Sequence, residues 1–139
     1  METLLTNTKE IIASNNYYEI AIDRTKNRFY VTIKGFWRSS QDVVHYLKDL
    51  KTGLARLQRK FTLLTDLREM KIHPQEIQNI HLQAQQLLLN NGLMQTAEVY
   101  ASSFVQFQTT NLSKQSKMPL KQFTSIGEAE NYLDTFIRI

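Results

Sequence analysis

Between residues 18 and 57 the hydrophobic period of this chain changes from two to three-and-four, which restricts it to folds where paired strands lead into alternating helices and strands. Tyr18, Ile20 and Ile22 alternate with Glu19 and Ala21, as a strand with one buried face requires. The polar stretch Asp23-Arg24-Thr25-Lys26-Asn27 follows, then Phe29, Val31 and Ile33 alternate again, so the two runs predict an antiparallel hairpin. Past Gly35 the spacing switches. Val43, Leu47, Leu50, Leu54 and Leu57 stand on one face of a helix. Its start is expected at Ser39 or Ser40, whose hydroxyl would accept a backbone N–H, with Asp42 in the first turn.

The remainder of the chain continues this alternation. Phe61-Thr62-Leu63-Leu64-Thr65-Asp66 is a nearly unbroken apolar run, the pattern of a central strand covered on both faces. A second helix is expected from Pro74 through Ile77, Ile80, Ala84, Leu87 and Leu88, stopping at Gly92. A strand over residues 96–101, a helix over 103–114, a short strand around 121–123 and a last helix from Ser125 or Ile126 through Ala129, Tyr132, Leu133 and Phe136 complete the order. Residues 1–14 show no sustained period and read as a helical or irregular lead-in. The expectation is one α/β domain over 1–139, ordered β-β-α-β-α-β-α-β-α. Its mixed sheet is antiparallel at the start and parallel thereafter, with Leu47, Leu54, Leu63, Ile80 and Leu87 in the core.

Composition narrows the classes of function. Its 139 residues suffice for one core without metals or disulfides, and the absence of cysteine removes disulfides, thiolate nucleophiles and thiolate metal sites together. No apolar run approaches a membrane span and the start lacks the pattern of a signal peptide, so a cytoplasmic protein without a transmembrane segment is expected. The net charge of +4 is uneven: residues 24–71 carry +8, against −3 before them and −1 after. Because these cations alternate with core positions, they read first as a solvated helix surface. Binding of nucleic acid would rest on phosphate attraction alone, without sequence specificity.

The stretch Tyr30-Val31-Thr32-Ile33-Lys34-Gly35-Phe36-Trp37 before a Ser-capped helix, Phe61 to Asp66 before a Pro-started helix, and Gly127-Glu128-Ala129-Glu130-Asn131-Tyr132-Leu133 near the end together resemble the SpoIIAA-like family of small bacterial proteins, grouped with STAS and Sec14-like domains. The resemblance spans about residues 17–136. It implies a four- or five-stranded sheet with helices packed on it and a role as a protein-binding or regulatory module. A small carrier or sensor of a lipid or other apolar ligand is the alternative that Sec14-like domains imply. Anti-sigma factor antagonists of the STAS type carry a phosphorylated serine at the start of the helix after an Asp-Leu element. Asp66-Leu67 matches that element, but Ile72-His73-Pro74-Gln75-Glu76 offers no Ser or Thr. The phosphoacceptor of the resemblance is therefore missing.

No nucleophile elbow, Walker loop or dinucleotide fingerprint occurs, and four glycines leave little for a phosphate-cradling loop, so neither an enzyme nor a cofactor is expected. His73 and His81 are eight residues apart, roughly 12 Å along a continuous helix and too far for one metal ion. Two surfaces remain as candidates. Asp66, Arg68, Glu69 and His73 follow the third strand, where open α/β sheets bind ligands, and either converge as a recognition surface or pair locally with Arg and Lys. Phe36 and Trp37 follow the second strand and read either as a plug of the core or as a hydrophobic contact for a protein partner or a second copy of the chain.

Overall fold

The computed structural model describes residues 8–137. Six strands form one sheet in the order β1-β2-β3-β4-β5-β6, which is also their order in the sequence. They are β1 (Lys9–Ser14), β2 (Tyr18–Asp23), β3 (Arg28–Gly35), β4 (Phe61–Met70), β5 (Leu93–Val99) and β6 (Lys121–Phe123). β1, β2 and β3 pair antiparallel, and β3 through β6 pair parallel. The helices are α1 (Tyr46–Leu54), α2 (Gln75–Asn90), α3 (Ser103–Ser116) and α4 (Ile126–Asp134). The mixed α/β sheet expected from the sequence is present.

The expected lead-in is corrected in its described part. Residues 9–14 form the edge strand β1, with Lys9 opposite Asp23 and Ser14 opposite Glu19. An edge strand with one face in water needs no run of apolar residues, and the register shift between Ile11 and Ala13 breaks what alternation there is. The first helix is also later than expected. Ser40–Val43 form a 3-10 turn, Ser39 makes no side-chain cap bond, and α1 begins only at Tyr46. Leu50 and Leu54 are buried as expected, whereas Leu47 and Leu57 are half-buried and Tyr46 takes the central place.

Each crossover adds the next strand on the same side of the last, so connections of one hand place α1, α2 and α3 together on one face. Their core contains Leu50, Leu54, Ile77, Ala84, Leu88 and Val105 against Ile20, Ile22, Phe29, Val31, Ile33 and Leu63 of the sheet. Ile80 and Leu87, expected in the core, lie half-buried at its margin. Among the described residues α4 alone covers the opposite face, packing Ala129 and Leu133 on Ala21, Tyr30, Leu64, Ala97 and Val99. It is also held by charge. The fully buried Arg28 guanidinium bonds Glu130 and Asp134 of α4, the latter at 2.9 Å, and its Nε donates to Thr62 Oγ1 at 2.9 Å.

Candidate functional site

Two loops and the helix α3 meet beyond the carboxyl ends of the parallel strands. Gly35 ends β3 with φ +63°, a backbone angle that only glycine takes at little cost. Its carbonyl accepts the Lys71 amide at 3.0 Å, which fastens the chain after β4 to the chain after β3. The third contributor is α3: the Gln108 side chain accepts the His73 amide at 3.1 Å and donates to the His73 carbonyl at 2.8 Å.

Trp37 lies beneath these loops and is fully buried. Its Nε1–H donates to the Tyr17 carbonyl at 2.9 Å, and its ring stacks on His73 and His81 with edges of Tyr18 and Tyr46 against it. Of the two readings of this residue, the structure places it in the core. Phe36 turns the other way and is 48 % exposed.

His73 and His81 are not two helical turns apart. His73 stands in the loop before α2, so the helical separation does not apply, and the chain folds back until His73 Nδ1 is 2.9 Å from His81 Nε2. His73 Nε2 is 3.1 Å from the Gly35 carbonyl, which only accepts, so that nitrogen carries the hydrogen. His73 Nδ1 is then the acceptor and His81 Nε2–H the donor, leaving both rings neutral and His81 Nδ1 with a free lone pair. Burial holds both below the ordinary histidine range, His81 to about 3, with the neighbouring His73 adding to the effect on His81. Among the described residues no group of three metal-ligating side chains exists around this pair or elsewhere.

Asp66 and His73 do not converge. Along β4, Leu63 and Leu67 face the three-helix core while Leu64 faces α4, so Asp66 stands on the α4 side of the sheet and His73 on the other. Arg68 clamps the Asp66 carboxylate through Nε and Nη2, each at 2.9 Å. Burial works to raise the Asp66 pKa, but the Arg68 hydrogen bonds and charge outweigh it and hold it below the usual range. Glu69 is exposed. Local pairing, one of the two readings of this segment, describes Asp66 and Arg68.

The sequence reading missed two features of this region. Phe104 and Phe107, counted with a weak helix, are 73 % and 72 % exposed on α3. They share a side of the helix with Gln108, because residues three and four apart are neighbours on a helix surface. With Phe36 and Ile72, each 48 % exposed, they give the carboxyl end of the sheet an apolar rim. The basic residues of 24–71, read first as a solvated surface, are partly neutralised: Arg24 pairs with Glu10, Lys26 with Asp134 and Arg68 with Asp66. The second missed feature is Glu98 in β5, which is 3 % exposed and accepts a hydrogen bond from Tyr100 Oη. Burial raises its pKa to about 8, so the carboxyl group is protonated at neutral pH. A lone acid inside the apolar run Thr96-Ala97-Glu98-Val99-Tyr100 was the legible signal, because a strand between two parallel neighbours is covered on both faces.

No protein-family model matches the sequence, and no curated protein matches it either. Solved structures match the fold. An uncharacterised protein of the DUF3478 family from Shewanella loihica PV-4, described as having a SpoIIAA-like fold, superposes with a TM-score of 0.64 at 17% identity, over 87% of this chain and 97% of that one. SiaC of Pseudomonas aeruginosa superposes in its apo form with a TM-score of 0.56 at 13% identity, over 84% of this chain and 98% of that one. A second structure of SiaC gives 0.54 at 11% identity, over 84% and 100%. The chain therefore has the SpoIIAA-like fold, and at these identities the likeness concerns the fold alone. Among the described residues no helix is long and apolar enough to cross a membrane.

Proposed function

We propose that this chain, folded as the SpoIIAA-like proteins are, is a non-catalytic protein-binding module whose partner docks on the apolar rim at the carboxyl end of the sheet. The observation that carries this reading is the pair Phe104 and Phe107, two large aromatic side chains left almost wholly in water on the outer side of α3. Aromatic side chains supply much of the binding energy of protein interfaces, and an exposed group of them has no role in the stability of this fold. Phe36 and Ile72 extend the surface, and Arg68 and Glu69 supply charged groups at its margin. His73, stacked on Trp37, packs against the Phe36 ring and forms the floor beneath it.

The absence of Ser and Thr from residues 66–80 supports a partner contact that is not switched by phosphorylation at the start of α2. An apolar-ligand carrier has less support. The cavity between the sheet and the helices measures about 50 Å³, against the roughly 300 Å³ or more of ordinary small-molecule pockets.

The test immobilises the wild-type protein and a Phe104→Ser/Phe107→Ser variant, passes an extract of the source cells over each, and identifies retained proteins and organic-extractable lipids by mass spectrometry. The expected result is a protein held stoichiometrically by the wild type and lost by the variant, whose Tm is unchanged. Retention of lipid without protein, or of the same protein by both columns, would overturn the reading.

A further inference from the structure

The cavity that is too small for a lipid is lined by nine apolar side chains and six polar ones, and four of the six have an atom without a protein partner among the described residues. It lies between the sheet and α1, α2 and α3, and its lining includes Tyr46, Thr65, His81, Gln85, Glu98 and Thr109. Five of these six, all but Thr65, are at most 9 % exposed. Among the described residues Tyr46 Oη, Thr65 Oγ1, His81 Nδ1 and Gln85 Nε2 make no hydrogen bond to protein. Buried polar groups in native proteins are paired with protein, water or ligand, so several orphans around one space mark it as occupied in solution.

The chemistry of the lining selects the occupant. His81 Nδ1 accepts only, because Nε2 carries that ring's hydrogen. The Thr109 hydroxyl has its one hydrogen engaged, toward Tyr100 Oη at 2.9 Å or the Val105 carbonyl at 3.0 Å, leaving oxygen lone pairs. Tyr46 and Thr65 add two more hydroxyl oxygens, and Glu98 adds a carboxyl group. Only Gln85 brings an amide donor without acceptor character, its carbonyl being taken by Ser116. The lining contains no lysine or arginine, so Glu98 is its one group able to carry a negative charge in the neutral range, with the His81 lone pair and the hydroxyl oxygens as neutral acceptors beside it. The volume of about 50 Å³ compares with roughly 30 Å³ for a water molecule in the liquid. The occupant is therefore of the size of a few waters, and the one that complements an ionised Glu98 is a small cation carrying N–H donors.

We infer that this cavity is a binding site for a small ammonium-type cation, ammonium itself or the head of a short primary amine, received by the Glu98 carboxylate, the His81 Nδ1 lone pair and the oxygens of Tyr46, Thr65 and Thr109. Without the cation, Glu98 keeps its proton, since burial disfavours the charge. When the cation enters, the Glu98 carboxyl releases that proton to solvent and the carboxylate pairs with the N–H donors, so the buried charge is neutralised within the cavity. One proton leaves for each cation bound. The charged and titratable groups around Glu98 are His81 on α2, Tyr46 on α1 and Tyr100 on its own strand, and burial keeps His81 and Tyr46 neutral through the neutral pH range. The site is independent of the protein-docking surface.

Thermal unfolding in ammonium or methylammonium chloride, with sodium chloride at equal ionic strength as reference, tests the inference. The expected result is a saturable rise in Tm whose apparent affinity increases about tenfold per pH unit below the Glu98 midpoint, the linkage signature of one released proton. Glu98→Gln, isosteric and uncharged, should abolish the effect, and tetramethylammonium, too large and without N–H donors, should produce none. If the glutamine variant does not fold, the pH slope of the wild type decides alone. The inference fails if no saturable rise occurs, if the affinity is independent of pH, if Glu98→Gln responds as the wild type does, or if tetramethylammonium substitutes.

Discussion

At the residue scale, the balance between two buried titratable groups governs how this protein responds to pH. His81 titrates in the folded state at about 3, against about 6.5 when unfolded. Within that window the unfolded chain binds the extra proton, so stability is complete above pH 6.5 and is lost as pH falls. Glu98 acts in the opposite sense. Its folded value of about 8 lies above the unfolded value of about 4.3, so the folded state holds the extra proton and stability falls as pH rises between the two. His73, also lowered by burial, adds to the His81 slope, so the opposing slopes cancel between about pH 5 and 7. A denaturation series from pH 4 to 9 is therefore expected to show a maximum there, and Glu98→Gln should remove the alkaline decline of up to about 1.4 kcal/mol per pH unit. A Glu98→Gln protein that loses stability between pH 6 and 8 as steeply as the wild type would refute the assignment. Trp37 supplies the optical probe: fully buried, it should resist iodide quenching until the protein unfolds.

At the element scale, two helices carry distinguishable tests. Gly53 faces inward from α1, and a Cβ there would come within 2.8 Å of the Phe29 ring. Gly53→Ala improves helix propensity by up to about 1 kcal/mol but overpacks the core at about 1–3 kcal/mol, so a net loss in urea midpoint is expected. Leu54, 7 % exposed on the same helix, makes the sharper case: Leu54→Asp would bury an unpaired carboxylate and prevent folding. A cooperatively melting Leu54→Asp protein would contradict this packing of α1. α4 is held differently, by Arg28 on Glu130 and Asp134. Arg28→Ala removes the buried cation from both acids and should destabilise the fold by less than the roughly 3–5 kcal/mol of a fully buried pair, because water reaches Glu130 and Asp134. Hydrogen exchange is expected to rise first in α4, since among the described residues it alone covers its face of the sheet.

At the scale of the whole molecule, the two faces of the sheet divide the work. Three helices on one face build the large core, the histidine pair and the polar cavity, while α4 and its ion pairs close part of the other. The carboxyl end of the sheet is where the loops after β3 and β4 meet α3, fastened by Gly35 and Gln108, and it presents Phe36, Ile72, Phe104 and Phe107 to solvent. Replacing Phe104 and Phe107 by serine is expected to leave the unfolding free energy within about 0.5 kcal/mol of wild type, as substitutions at exposed positions usually do. The effect on partner binding then belongs to the surface and not to the fold.

The alternation of Tyr18 to Ile22 and Phe29 to Ile33, the apolar run from Phe61 and the turn signals at Pro74 and Gly92 were enough to determine a mixed α/β sheet and the chain order of five of its six strands, because period and punctuation are local properties of a chain. They also placed the candidate surface at the ends of β3 and β4, where Phe36, Asp66, Arg68, Glu69 and His73 stand. What the sequence could not determine was which of these side chains meet. His73 reaches His81 because the loop before α2 folds back, and Asp66 lies across the sheet from both because strand residues alternate faces. β1 escaped notice because an edge strand is stabilised by pairing with β2 more than by its own apolar residues. Glu98 acquires its chemistry only from the helices that seal it away from water, since a carboxyl group becomes a buried, protonated acid through its surroundings and not through its neighbours in sequence.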